Sequence, residues 1–339
     1  MKLQIYFLFF ISFYSCLMSM TIQESDAIFN GFKQFLGEIY LYESKQLIGG
    51  LSKNTQYLCL VNDNKYLVRI LGESFSKRQN EVNIHCLAAD NGIAPKVYYY
   101  DDEYSFIIMD FIEGHTLFLE EANRPEVLDC VVEKIRLISQ FDGSAFIHEN
   151  AWNLIAQINK DYNKIKNQPD ITLNCMIEQV FNAMKIIYQS LEDEQRRLVF
   201  CHNDLNYRNI FFTKKDVVFI DWEMAGLNYE LYDFAYYSVF SCLSESDDYY
   251  LFTKYLERIP SSIDLDYFKR IKLMIRACNA FYILAFLEHI PTFIPMESIK
   301  NLEFYARTFA QDATVISPEF LYSIAICQMR TFVEDYKKI

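Results

Sequence analysis

The chain has 339 residues, 52% of them hydrophobic and 23% charged, which is enough apolar material for a sizeable core and argues against disorder as a whole. Its formal net charge of −13 argues against a nucleic-acid partner, because phosphate binding needs clustered Lys and Arg. Nine cysteines, an odd number scattered through apolar contexts with no C-x-x-C pair, read as reduced buried thiols and not as a disulfide framework or a zinc site.

Residues 1–20 place a single cation, Lys2, ahead of an apolar run that ends near Met20. The run reads as a signal or membrane anchor, or as sequence ahead of a working start at Met18 or Met20. Membrane contact is expected only through it. From about Glu38 the pattern is that of strands: 41–50 and 55–63 flank the Gly49-Gly50 turn, and 65–71 follows a polar Asn-Asp-Asn turn. Residues 75–92 carry helical spacing through Val82, His85, Cys86 and Ala89 and close on Asn91-Gly92, a helix-ending signal. Two β-rich runs, 94–101 and 104–112, surround an Asp-Asp turn and predict a hairpin. Residues 21–112 therefore predict a small antiparallel sheet with one helix. After Glu113-Gly114 long amphipathic stretches such as 124–141 and 172–197 dominate, so 113–339 predict a larger, mainly helical part. The fold class expected is α+β.

One segment breaks the helical run. Residues 200–226, FCHNDLNYRNIFFTKKDVVFIDWEMAG, set His202, Asp204, Asn209 and Asp221 among Phe, Val and Ile. The stretch 210–220 reads as two short strands around a Lys-Lys-Asp turn, a hairpin that brings Asn209, before the first strand, close to Asp221, after the second. An amide oxygen and a carboxylate are hard donors suited to Mg²⁺. Asp204, five residues ahead of Asn209, is a carboxylate able to accept the proton of an attacking hydroxyl. His202 is better placed to brace the loop. The pattern H-x-D-x-x-x-x-N, a hairpin and then D has the spacing of a phosphoryl-transfer catalytic loop.

The upstream part supplies what such a loop requires. A turn with Gly49, Gly50, Ser52 and Asn54 offers backbone groups for phosphates, and Arg69 puts a cation on a later strand. A charge between Val68 and Ile70 is costly to bury alone, and Glu81, early in the next helix, is its natural partner.

With Arg69 where protein kinases use Lys, D-W-E in place of D-F-G, and CHNDLNYRN without the H-R-D form, the chain resembles the choline/ethanolamine kinase family of the aminoglycoside-phosphotransferase-like superfamily. The ordered motifs run from about Leu47 to Tyr237. The resemblance implies a two-lobed, protein kinase-like fold and ATP- and Mg²⁺-dependent phosphorylation of a small molecule's hydroxyl. It makes Asp204 the catalytic base, Asn209 and Asp221 the Mg²⁺ ligands, Arg69 a phosphate contact and Glu81 the residue that orients it. It places adenine against the backbone around Asp110 to Ile112 and gives Asp233 a structural role beneath the catalytic loop. Glu223 resembles the carboxylate that choline kinases keep for their cationic substrate, with Tyr229, Tyr232 and Tyr236 near in sequence. Tyr282, with Phe281 and Phe286, stands where those kinases present tryptophans. The acceptor implied is choline or a related amino alcohol, and that departure argues against choline itself, leaving ethanolamine, thiamine or another amino alcohol open. An ATP requirement favours a cytoplasmic protein. The competing readings are an aminoglycoside-type phosphotransferase and an ATP-binding pseudokinase that regulates a partner. Glu223 argues against the first, and intact Asp204, Asn209 and Asp221 against the second.

Overall fold

The computed structural model describes residues 21–47, 54–143, 154–168, 170–194, 197–214, 216–258, 265–287, 298–311 and 317–339. Residues 1–20 and the turn positions Gly49, Gly50 and Ser52 lie outside them. Two compact units emerge: Met1–Leu117, Asp142–Asn150 and Arg208–Ala225 form one, and Phe118–Phe141, Ala151–Tyr207 and Gly226–Ile339 the other.

The first unit is built on five antiparallel strands: β1 (Tyr42–Leu47), β2 (Thr55–Val61), β3 (Asn64–Ile70), β4 (Val97–Tyr100) and β5 (Phe106–Asp110), ordered β1-β2-β3-β5-β4. Helix α1 (Ile22–Leu36) precedes the sheet, and α2 (Phe75–Asp90) follows β3. Side chains alternate between the two faces of a strand, and here each face receives a helix. Phe106 and Ile108 of β5 pack with Ile28 and Phe32 of α1, whereas Ile107 and Met109 pack with Val82 of α2. The same alternation on β3 sends Tyr66 and Val68 toward α1, which leaves Arg69 for the α2 face. Helix α2 ends at Asn91, and Gly92 takes φ +68°, as the Asn-Gly pair predicts.

Helix α1 is an addition to the single helix expected in this region. Its start is a capping box: Glu24 N–H donates to Thr21 Oγ1 (3.2 Å) and Thr21 N–H to Glu24 Oε2 (2.7 Å). The T-x-x-E signal stands directly behind the apolar run of 1–20, which masks its periodicity.

The segment after the 202–209 loop forms the expected hairpin. Strands β8 (Ile210–Phe212) and β9 (Val217–Phe219) pair antiparallel, with Ile210 opposite Phe219, and β6 (His115–Thr116) adds to β8. Gly114 is needed where β6 enters. A Cβ there would lie 2.4 Å from the Phe212 carbonyl oxygen. Gly114→Ala is therefore expected to destabilise the protein by about 1–3 kcal/mol through overpacking, read as a lower midpoint in thermal unfolding; an unchanged midpoint would show that the two backbones separate freely.

The second unit is mainly helical: α3 (Pro125–Ile138), α4 (Leu154–Ile165), α5 (Ile171–Asp193), α6 (Tyr232–Phe240), α7 (Glu245–Arg258), α8 (Leu265–Phe286), α9 (Leu302–Gln311) and α10 (Pro318–Tyr336). Helix α8 is its centre, packed against α4, α5, α6, α7 and α10. It is apolar on most sides, with Met274, Ala277, Ala280 and Phe281 fully buried, as a helix surrounded by others must be. A short ribbon not expected from the sequence, β7 (Leu198–Cys201) with β10 (Gly226–Tyr229), lies on either side of the loop and hairpin in the chain. The eight cysteines among the described residues are free thiols. Among those residues no helix is long and apolar enough to cross a membrane.

Candidate active site

In the first unit the polar chemistry gathers around Arg69. Its guanidinium is 5% exposed; Nη1 lies 3.1 Å from Glu81 Oε1, and Nη2 lies 2.7 Å from Asp221 Oδ1 and 3.9 Å from Glu223 Oε2. Burial works against the arginine's charge, but the carboxylates of Glu81, Asp221 and Glu223 together raise its pKa. Burial also raises the Glu81 carboxyl, with Arg69 opposing. Glu223 is pushed up to about 8, first by loss of water and then by the Asp221 charge, although its side chain keeps 30% of its surface. One guanidinium thus faces three carboxylates, an arrangement short of positive charge.

The hairpin explains how Asp221 and Asn209 come to the same end of one ribbon. Ile220 N–H donates to the Asn209 carbonyl (2.9 Å), so Asn209 sits across from Ile220 and next to the strand position of Asp221. Trp222 is wholly buried and donates Nε1–H to the Phe219 carbonyl (3.2 Å), anchoring the turn. Asp221 itself adopts φ +67°, ψ +66°, a left-handed conformation that a non-glycine residue takes only under local constraint.

In the second unit the loop before the hairpin is held from α6. Asp233, in the first turn of that helix, accepts from His202 N–H (2.7 Å) and Asn203 N–H (2.9 Å). Burial raises its carboxyl to about 7 against the pull of those two amides. Asn203 takes φ +66°, donates Nδ2–H to the Gly226 carbonyl (3.4 Å) and accepts from Asn228 Nδ2–H (2.9 Å). Asn206 N–H closes the turn on the Asp204 carbonyl (2.9 Å). Tyr236 Oη–H donates to Asp204 Oδ1 at 2.9 Å. Asn203, Asn206 and Asn228 were not singled out from the sequence. Their loop-forming role depends on partners up to 25 residues away, which spacing does not disclose.

The remaining predicted positions separate. Asn54 Oδ1 accepts from Gly72 N–H (2.9 Å), tying the start of β2 to the end of β3. Asp110 closes β5, with its amide on the Lys96 carbonyl (2.9 Å) and its carboxylate accepting from Tyr98 Oη–H (2.6 Å); Ile112 follows, half-buried. Tyr232 packs its ring 5.9 Å from that of Tyr236. Tyr229 turns elsewhere, its hydroxyl 2.7 Å from Glu192 Oε1. Tyr282 is half-buried on α8, and Phe281 is a core residue beside Tyr162 and Phe181.

One turn before Tyr282, Asn279 is buried, and neither amide atom has a hydrogen-bond partner among the described residues. Such a group costs about 1–3 kcal/mol when left unsatisfied. Asn279→Leu is expected to raise the unfolding midpoint, by about 2–4 °C for each kcal/mol recovered; a fall in the midpoint would show that the amide is satisfied in solution.

The model of the choline/ethanolamine kinase family matches residues 45–274. The probable ethanolamine kinase A of Dictyostelium discoideum is 26% identical over 199 residues, 56% of this chain and 54% of the relative. The chain spans about half the length of the curated relatives it matches. Among solved structures, a choline/ethanolamine kinase family protein from Mesorhizobium loti superposes with a TM-score of 0.62 at 22% identity, covering 91% of this chain and 99% of that one. A thermostable mutant of an aminoglycoside phosphotransferase gives 0.54 at 16%, covering 89% and 98%. At these identities the superpositions show a shared α+β fold and no more. The family match extends over more than half of the sequence and takes in Arg69, Glu81, the 202–209 loop and the Asp221 hairpin: the chain belongs to the choline/ethanolamine kinase family.

Proposed function

We propose that the protein is a Mg²⁺-dependent kinase that moves the γ-phosphoryl group of ATP to the hydroxyl of a small amino alcohol of the ethanolamine and choline class. The observation that carries it is the hairpin register, which sets Asn209 beside Asp221, with Arg69 on the Asp221 carboxylate and Asp204 five residues earlier in the chain.

The donor set fits magnesium. An amide oxygen and a carboxylate are hard ligands for an ion that keeps water and phosphate oxygens as its other partners. The excess of carboxylate over guanidinium around Arg69 also favours a further cation. Asn209 and Asp221 would hold the ion, which when bound neutralises charge on the phosphates. Arg69, oriented by Glu81, contacts the phosphates, aided by Asn54 and the 49–52 turn. The backbone around Asp110 to Ile112 meets adenine. Asp204 takes the hydroxyl proton as the alcohol oxygen bonds to the γ-phosphorus and the bridge to the β-phosphate breaks, leaving ADP and a phosphoester. Glu223 is the carboxylate proposed for the ammonium group, and Tyr232, Tyr236 and Tyr282 are the aromatic candidates; each cation–π contact is worth about 0.5–2 kcal/mol. Tyr229, engaged by Glu192, is not among them. The names of the relatives favour ethanolamine.

The test is ADP release by the full chain with ethanolamine, choline, thiamine and an aminoglycoside, each with and without Mg²⁺. Turnover with an amino alcohol that disappears without the metal is expected. Turnover with the aminoglycoside alone would replace the proposed acceptor, and ATP binding without turnover would make the protein a nucleotide-binding regulator.

A further inference from the structure

We infer that Tyr236 is a positioning residue for Asp204, holding the carboxylate in one rotamer and favouring its ionised form through the hydrogen bond its hydroxyl donates; this rests on Asp204 being the proposed base. The geometry is that of one helix face gripping three consecutive loop residues. Asp233 and Tyr236 are i and i+3 on α6, and so share a face. Asp233 accepts the amides of residues 202 and 203, and Tyr236 donates to the side chain of residue 204 (2.9 Å). The phenol is held in place, with its ring centroid 4.3 Å from that of Phe240 and 5.9 Å from that of Tyr232. Asn206 Nδ2 reaches the same carboxylate oxygen at 3.4 Å and the Asp204 carbonyl at 3.0 Å, so Tyr236 and Asn206 both donate to Oδ1.

A buried phenol needs a partner in any case, so a purely structural bond is the competing explanation. The two differ in what they do to Asp204. Donation to a carboxylate stabilises its charged form and lowers its proton affinity. The titratable groups that face Asp204 are the Tyr236 and Tyr232 phenols from α6, with the Cys278 thiol of α8 close to both. Burial keeps all three protonated and neutral, and the Tyr236 hydroxyl, as a donor to the carboxylate, favours the anion.

The experiment is Tyr236→Phe in the full chain, assayed for ADP release with ethanolamine and choline across pH. Turnover number is expected to fall about 10-fold or more with KM for ATP unchanged, and the acid limb of its pH profile to move up by about one unit, the size expected of one charge-assisted hydrogen bond. A lower thermal midpoint with turnover and acid limb unmoved would overturn the proposal. Should Tyr236→Phe fail to fold, 3-fluorotyrosine at 236 keeps the shape with a more acidic hydroxyl; the acid limb must then move down, and an unmoved limb overturns the proposal. Asp204→Asn separates the two levels. If that variant turns over normally, the base assignment falls and the positioning role with it. If it is inactive while Tyr236→Phe is indistinguishable from the parent, only the positioning role falls.

Discussion

Asp204→Asn is expected to reduce turnover by about 10²- to 10⁴-fold, the range ascribed to a lost general base, while affinity for ATP stays within about two-fold. Asparagine keeps the size of the side chain and an oxygen that can still accept from Tyr236, but its nitrogen has no lone pair for a proton. The loop should survive the change, since its backbone is held by Asp233 at residues 202 and 203. Thermal midpoint and nucleotide binding therefore serve as controls. ADP release measured with saturating amino alcohol decides the matter: turnover equal to that of the parent removes Asp204 from the chemistry.

Asp221→Ala is expected to weaken Mg²⁺-dependent ATP binding on the order of 10²-fold or more, beyond what the loss of a supporting residue around a metal costs. The substitution also takes away the 2.7 Å partner of Arg69. Glu81 remains at 3.1 Å, so the stability loss should stay below the about 3–5 kcal/mol of a buried charge left without any partner. Titration of Mg²⁺ against ATP binding by calorimetry, beside a denaturation curve, separates the two effects. Unchanged Mg²⁺ affinity would exclude Asp221 from the ligand set, whatever the stability did.

Much of the site was legible because it is local. The two short apolar runs of 210–220, on either side of the polar turn at Lys214, Lys215 and Asp216, read as a hairpin, and its register puts Asn209 next to Asp221. A charge on strand β3 flanked by Val68 and Ile70 has to find a counter-ion, and the first carboxylate on the buried face of the next helix is Glu81. Helix α1 was missed although its capping box was readable, because an apolar run directly before it hides where the helical period begins. The ribbon of β7 and β10 was missed because each strand is four residues long and the partners are separated by the whole catalytic segment.

The tyrosines show where sequence reading stops. Residues 229–237 carry four of them, and nearness in sequence to Glu223 groups Tyr229, Tyr232 and Tyr236 as one set. In the fold they take different partners: Glu192 for Tyr229, the ring of Tyr236 for Tyr232, and Asp204 for Tyr236. The sequence by itself determined the strands and helix of 41–112 and the 210–220 hairpin, the Asn209–Asp221 register and the Arg69–Glu81 pair, since side-chain alternation and turn chemistry act over a few residues. Only the tertiary structure decided that Arg69 also meets Asp221, 152 residues away, and that Asp233 and Tyr236 hold a loop some 30 residues before them. The physical reason is that a buried polar group must find a partner, and the packing of distant elements decides which one is within reach.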